Sequence, residues 1–230
     1  MLPWLNADDD TEDFPDLDNA LTDPNGLLAA GGSLSPERLL KAYRAGIFPW
    51  FEDDQPILWW SPDPRMVLRP AEIHLSKSLQ KVLKKAEFNC TYDRDFSAVI
   101  QACAQRSDEE GTWITGSMKK AYQALHAIGY AHSIEVWKNN QLVGGLYGVA
   151  IGQFYFGESM FSRCSNASKV GFAFLMENLQ EWQYQYVDCQ LQSNHLETLG
   201  AYEISRNDFS TLLDKYCPRK VSIDAWVCDK

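Results

Sequence analysis

The sequence lacks any run of about 18 apolar residues, the minimum length for a membrane-spanning helix. Its first ten residues contain neither a basic stretch nor an apolar stretch of the kind found in secretory signal peptides. We therefore expect no membrane segment and a cytoplasmic location.

Metal-binding motifs are also absent. The six cysteines form no C-x-x-C pair, and the four histidines lie far apart along the chain. Scattered cysteines are typical of free thiols in a reducing compartment, and no zinc-ligand spacing is present. The sequence also contains no P-loop, dinucleotide-binding fingerprint or Ser-His-Asp signature. These absences predict a protein with no bound metal and no disulfide framework.

The chain has no basic excess, because its net charge is −10. The acidic excess, however, belongs to one region. Residues 1–63 carry 13 acidic and 3 basic residues, whereas residues 64–230 carry 18 of each. Phosphate groups respond to local potential, so a basic stripe in the neutral part can still bind them. Net charge therefore does not exclude a nucleic-acid partner.

The hydrophobic pattern predicts a mixed α/β (α+β) protein with a boundary near residues 61–66. Pro62 and Pro64 interrupt regular structure at that point. We predict a small N-terminal domain over residues 1–63 and a larger domain over residues 64–230.

The order of elements in the larger domain is informative. A hairpin around Asn139-Asn140 is followed by a long strand over 150–159, a helix over 167–182 and a strand over 186–191. This order resembles the core of GNAT-type acyltransferases. Other predicted elements are helices over 37–45, 76–85, 95–106 and 117–128, and strands over 66–68 and 88–92.

A polar pair interrupts the strand predicted over 186–191. Strand alternation places Asp188 and Gln190 on one face and their apolar neighbours on the other. A carboxylate and an amide beside an apolar helix could orient or deprotonate an attacking amine. The same pair could also lie at a strand end and face solvent, so both interpretations stay open.

A glycine at the end of the long strand precedes a second carboxylate. Gly157 could let a ligand approach the backbone closely. Glu158 could then neutralise an α-ammonium group, or it could form a surface ion pair with Arg163.

Two helices have one-sided faces. One carries an apolar stripe at i, i+3, i+4 and i+7, which either walls a pocket or belongs to the core. Its members are Phe172, Leu175, Met176 and Leu179. The other carries a basic face, which either attracts a phosphate backbone or is simply solvated. Its members are Lys77, Lys81, Lys84 and Lys85. Scattered tryptophans could stack on a base or pack in the core; they are Trp50, Trp59, Trp60 and Trp113.

Longer motifs resemble the leucyl/phenylalanyl-tRNA–protein transferase family and follow that family's order between about residues 25 and 205. They are GLLAAGGSL at 26–34, YRAGIFPW at 43–50, WWSPDPR at 59–65, TWI at 112–114, GGLYGV at 144–149, GESMFSR at 157–163, NASK at 166–169, DCQ at 188–190, His195, and LGA at 199–201.

The resemblance implies a small N-terminal domain packed on a GNAT-like domain in a monomer. It implies transfer of Leu or Phe, and less readily Met, from aminoacyl-tRNA to proteins that begin with Arg or Lys. Such transfer marks these proteins for bacterial N-end-rule degradation. The lysine face then contacts tRNA, Trp50 and Trp113 enclose the terminal adenosine, and Glu158 contacts the aminoacyl group or the acceptor. The implied side-chain pocket consists of Leu146, Tyr155, Met160, Phe172, Leu175 and Leu179.

The implied chemistry is aminolysis of an ester by an α-amine. Because the ester is already activated, the reaction needs no ATP, metal ion or other cofactor. We expect Asp188 to accept or steer the proton of the amine while Gln190 holds Asp188. Positioning of the two reactants could instead supply most of the rate, since it contributes roughly 7–11 kcal/mol.

Two other functions compete with this one. A GNAT-type acetyltransferase would need a glycine-rich cradle for the pyrophosphate of acetyl-CoA, and the loop at 162–168 contains no glycine. A non-catalytic adaptor for protein N-termini or RNA would have no use for the Asp188/Gln190 pair. A turnover assay separates an adaptor from an enzyme.

Overall fold

The computed structural model describes residues 2–105 and 114–227. The strands within these residues are β1 (Trp4–Leu5), β2 (Leu27–Gly31), β3 (Phe48–Pro49), β4 (Leu58–Trp60), β5 (Arg65–Leu68), β6 (Asn89–Tyr92), β7 (Ala131–Lys138), β8 (Gln141–Ile151), β9 (Phe154–Ser162), β10 (Tyr186–Gln190) and β11 (Tyr202–Ile204). The helices are α1 (Pro36–Arg44), α2 (Lys77–Lys84), α3 (Phe96–Ala104), α4 (Gly116–Ala127), α5 (Ala167–Glu181), α6 (Asn194–Glu197) and α7 (Arg206–Tyr216).

Capping side chains set the starts of four helices. Ser35 Oγ accepts the backbone N–H three residues later, and Pro36 occupies the first position of α1. Ser76, Asp95 and Thr115 cap α2, α3 and α4 in the same way. Each cap satisfies a backbone donor that the first turn leaves unpaired. The helices predicted over 37–45, 76–85 and 95–106 therefore begin within one residue of α1, α2 and α3.

The strands form two sheets. The order in the four-stranded sheet is β1-β2-β4-β3, and the order in the seven-stranded sheet is β11-β5-β10-β9-β8-β7-β6. Neighbours in the larger sheet are antiparallel except β9 and β10, which are parallel and joined through α5. The predicted order of hairpin, long strand, helix and strand is confirmed, and the fold is mixed α/β. The long strand predicted over 150–159 lies at 154–162, because a turn at Gly152-Gln153 separates it from β8.

The larger sheet has a hydrophobic core on each face. On one face, α5 packs against β7 and β8; on the other, α3 packs on β8 and α4 on β7. Successive residues of β8 alternate between the cores, with Leu146 on the α5 side and Tyr147 on the α4 side. The α4-side core also contains Leu39 and Trp59 from the N-terminal part. The boundary between domains 1–63 and 64–230 stays a prediction, because both parts share this core.

Candidate active site

A cavity lies where β9 and β10 stop pairing. β10 pairs with β9 only from Tyr186 to Asp188, whereas β9 continues to Ser162. The opening between the two strands has a volume of about 190 Å³. A water molecule's share of liquid volume is about 30 Å³, so the cavity has room for several waters or for a group the size of one amino-acid side chain.

One wall of the cavity is apolar and lies on the α5 side of the sheet. This apolar wall consists of five residues predicted from the sequence, namely Leu146, Tyr155, Met160, Phe172 and Leu175. Leu179, the sixth predicted pocket residue, is fully buried in the core instead. It follows Leu175 by one helical turn of about 5.4 Å, which carries it past the cavity. Leu179 therefore supports the wall without lining it.

The opposite wall is polar and consists of Glu158, Asp188 and Gln190. Two β-bulges shape this polar wall. In the pairing of β8 with β9, Glu158 is an extra residue, and in the pairing of β10 with β5 the extra residue is Cys189. A bulge re-aims the neighbouring side chains and commonly occurs beside active sites. Gly148 lies opposite the first bulge, where a Cβ would approach the Phe156 carbonyl oxygen to 2.2 Å.

Asp188 is fully buried and paired with an arginine. Arg65 donates from Nε to Oδ1 at 2.8 Å and from Nη2 to Oδ2 at 2.7 Å. Asp188 Oδ1 also accepts the backbone N–H of Gln190 at 2.8 Å. Gln190 has the left-handed φ of +64°. The bulge at Cys189 interrupts the regular alternation predicted for this strand, yet Asp188 and Gln190 both line the cavity.

Arg65 is a site residue that the sequence reasoning missed. Its guanidinium carbon lies 4.7 Å from the ring centres of both Phe48 and Phe209, and Nη1 donates to the Gly46 carbonyl at 3.3 Å. It therefore links the N-terminal part, α7 and Asp188. The available signal was an arginine at the start of an apolar strand, because a buried charge needs a partner of opposite sign.

Glu158 accepts hydrogen bonds from three elements. The hydroxyls of Tyr43 in α1 and Tyr122 in α4 each donate to it at 2.7 Å, to Oε1 and Oε2 respectively. Gln190 Nε2 donates to Oε1 at 3.0 Å. The amide of Gln190 thus holds Glu158, whereas the sequence reasoning expected it to hold Asp188. The alternative of a surface ion pair with Arg163 is wrong, since the Arg163 guanidinium donates to the Leu142 carbonyl instead.

The surroundings of Glu158 make its ionisation unfavourable. Burial raises its pKa to about 7, and the negative charge of Asp188 adds to this effect. The hydroxyls of Tyr43 and Tyr122 and the charge of Arg65 lower the same pKa without cancelling the rise. Burial also raises the pKa values of both tyrosines well above 10, so they remain neutral donors.

Tyr147 contributes an unsatisfied hydroxyl. The residue lines the cavity, but its side chain is fully buried, and its Oη is shielded from solvent and has no hydrogen-bond partner within the described part of the chain. A buried polar group without a partner is costly, and such groups are often completed by a ligand or by water. Tyr147, like Tyr43 and Tyr122, was not predicted as a site residue.

The remaining predicted residues lie outside the cavity. Trp50 is 44% exposed, and its ring packs edge-on against Trp60 at 5.5 Å. The four predicted lysines are all exposed on α2 or at its C-cap; they are Lys77, Lys81, Lys84 and Lys85. Trp113 lies outside the described residues.

Two kinds of feature are absent from residues 2–105 and 114–227. No group of three or more His, Cys, Asp and Glu side chains could hold a metal ion. No helix there is long and apolar enough to cross a membrane.

Comparison with known proteins gave consistent matches. A family model described as leucyl/phenylalanyl-tRNA protein transferase matches residues 67–214, and one for the N-terminal domain of that transferase matches residues 32–63. A leucyl/phenylalanyl-tRNA–protein transferase of Pseudomonas syringae is 56% identical over 97% of this chain and 97% of that protein. The one from Azotobacter vinelandii is 60% identical over 93% of this chain and 94% of its own length. A solved structure of L-PGS from Bacillus licheniformis has a TM-score of 0.41 and 10% identity, and covers 70% of this chain and 52% of that one.

Proposed function

Because the chain belongs to the leucyl/phenylalanyl-tRNA–protein transferase family, and is thus an aminoacyltransferase acting from tRNA to protein, we propose a specific reaction for it. It moves leucine or phenylalanine, and less readily methionine, from aminoacyl-tRNA to the N-terminal arginine or lysine of an acceptor protein. The product is marked for N-end-rule degradation, and the reaction takes place in the cytoplasm, by a monomer and without a cofactor.

The observation that carries this proposal is the contrast between the two cavity walls. The apolar wall suits a side chain such as that of leucine, phenylalanine or methionine, none of which is branched at Cβ. A branched Ile or Val side chain would place a methyl group against the cavity mouth. One misplaced methyl costs about 1–3 kcal/mol, so we expect discrimination that is modest rather than absolute.

The polar wall suits the reacting groups. Asp188 and Gln190 act together, because Asp188 holds the backbone of Gln190 and the Gln190 amide contacts Glu158. We assign Asp188 to steering the acceptor amine through Gln190, and Glu158 to contact with the amine.

The tRNA body lies outside the cavity. The exposed lysines of α2 supply a basic face for its phosphate backbone. The exposed ring of Trp50 supplies one stacking surface for the terminal adenosine, and Trp113 is assigned to the opposite side of the base.

A transfer assay tests the proposal. Purified protein is mixed with radiolabelled Leu-tRNA or Phe-tRNA and a protein that begins with Arg or Lys, and a parallel reaction contains labelled acetyl-CoA. We expect label at the acceptor N-terminus in the first reaction, without added ATP, and none in the second. Acetylation without aminoacyl transfer would identify an acetyltransferase, and binding without any turnover would identify an adaptor.

A further inference from the structure

We propose that Glu158 is the group that takes the proton from the attacking α-amine, and that Asp188 is a positioning residue that acts on this step through Gln190. The inference rests on the proposed function and names the proton acceptor within that site.

Glu158 can be reached from the cavity more readily than Asp188. Asp188 is completely buried, and it already has a cationic partner in Arg65. Glu158 is only partly buried and lines the cavity. An approaching ammonium group therefore meets Glu158 without displacing an existing ion pair.

The carboxylate of Glu158 also has a free position for a further hydrogen bond. A carboxylate has about four acceptor positions, two on each oxygen. In Glu158, Oε1 accepts from Tyr43 and from Gln190, whereas Oε2 accepts from Tyr122 alone among the residues that the structure describes. One position on Oε2 therefore remains for the acceptor amine.

The short contacts among Tyr43, Tyr122 and Glu158 also favour a proton on Glu158. The phenol oxygens of Tyr43 and Tyr122 lie 2.6 Å apart, and each lies 2.7 Å from one carboxylate oxygen of Glu158. These three short contacts need three hydrogens, but two phenols supply only two. If Oε2 carries a proton, it donates to Tyr122, Tyr122 donates to Tyr43, and Tyr43 donates to Oε1. Protonation of Glu158 thus completes the ring of hydrogen bonds.

The burial and the charges around Glu158 also favour its protonated form. The titratable or charged groups that act on Glu158 within the described residues come from the elements packed around it, and they are Tyr43, Arg65, Tyr122, Tyr147, Tyr155 and Asp188. Burial leaves the pKa of Glu158 at about 7. An α-amino group has a pKa of about 7.7–8.0, so the proton moves between groups of similar basicity, where general-base catalysis is efficient.

In the proposed step, one proton passes to Glu158 and another to the leaving ribose oxygen. The carboxylate of Glu158 takes one proton from the α-ammonium of the acceptor, and the freed lone pair forms a C–N bond to the carbonyl carbon of the ester. The C–O bond to the ribose oxygen breaks, and that oxygen takes a second proton from the nitrogen. The third hydrogen stays on the new amide, and Glu158 releases its proton to solvent.

Glu158→Gln is the central test, and the measurement is the single-turnover rate with Leu-tRNA and an Arg-initiated acceptor. We expect a loss of about 100-fold or more. Affinity for the aminoacyl-tRNA and the urea midpoint at pH 8 should stay near the wild-type values. Glu203→Gln, at an exposed position on β11, is the matched control and should transfer at the wild-type rate.

The pH profile gives a second readout. The wild-type rate should rise with pH through about 7, because only ionised Glu158 accepts a proton. In Glu158→Gln the rise of the rate near pH 7 should disappear. The remaining pH dependence should come only from the acceptor amine, whose pKa is about 7.7–8.0. Added formate should raise the rate of Glu158→Ala, which has space for it, but not that of Glu158→Gln.

The outcomes separate the two proposals. Failure of the wild-type protein to transfer would overturn the proposed function and this inference with it. Normal transfer by the wild type together with a rate within about threefold in Glu158→Gln would overturn only the inference. Equal losses in rate and in substrate affinity would also overturn it, because they would make Glu158 a binding group.

Discussion

The two walls of the cavity are built on different physical principles. The apolar wall comes from β8, β9 and α5, and its contacts are non-directional dispersion and burial. The polar wall depends on directed hydrogen bonds between groups on α1, α4, β5, β9 and β10. Each group in such a network is expensive to leave unpaired. Changes in the apolar wall should therefore have graded effects, whereas changes in the polar wall should have abrupt ones.

The largest effect should come from the cation beneath the polar wall. Arg65→Met would leave Asp188 buried without its counter-charge, and breaking such a pair costs about 3–5 kcal/mol. Urea unfolding measures this loss. Arg69→Met is the matched control, because the side chain of Arg69 is 41% exposed and its ion pair with Glu72 should contribute about 1 kcal/mol or less. Equal destabilisation by both changes would contradict the distinction.

Asp188→Asn should separate positioning from binding in the same wall. The amide keeps the size of Asp188 but weakens its bond to Arg65, so the backbone of Gln190 loses its fixed position. Misplacement by about 1 Å can cost about 100-fold in rate. We expect a single-turnover loss of that order, with aminoacyl-tRNA affinity changed by less than about threefold. A comparable loss of affinity would count against a role in the chemical step.

The same contrast explains how much of the site could be predicted from the sequence. The apolar stripe predicted that Phe172 and Leu175 share one face of α5, and both line the cavity, because the helical period maps directly onto that face. The helical period does not show where along α5 the cavity ends, so the same stripe also predicts Leu179 as a pocket residue. The fold order was predicted for a similar reason, since it depends on local pattern and on capping residues.

The polar wall could not be predicted in detail, because its partners are remote in sequence. Glu158 meets Tyr43 across 115 residues, and Asp188 meets Arg65 across 123. The bulge at Cys189 also reverses the expected contact between Asp188 and Gln190. A bulge leaves no regular sequence signal, so alternation predicted a shared side for these two residues but not the hydrogen bond from the Gln190 backbone to Asp188.

A smaller effect should follow from reshaping the apolar wall. Met160→Ala would enlarge the cavity from a partly buried position, so the larger phenylalanine side chain should gain relative to leucine. We expect the ratio of Phe to Leu transfer to rise about 10-fold, at the low end of the 1–3 kcal/mol that such a shape change is worth. Competition between Phe-tRNA and Leu-tRNA measures it. Leu179→Met, behind the wall, should leave the ratio unchanged; a similar shift there would show that core volume, rather than the wall, sets selectivity.

The smallest expected effect concerns the hydroxyl of Tyr147. Tyr147 lies in the α4-side core, yet its hydroxyl has no partner among the described residues. Tyr147→Phe removes only that hydroxyl, so the stability of the unliganded protein should not fall, because no hydrogen bond is lost. If substrate binding exposes the hydroxyl so that it donates to the aminoacyl group, the single-turnover rate should fall by the worth of one hydrogen bond, about 1 kcal/mol or roughly fivefold. A loss of stability with no change in rate would instead place the partner of Tyr147 within the folded protein.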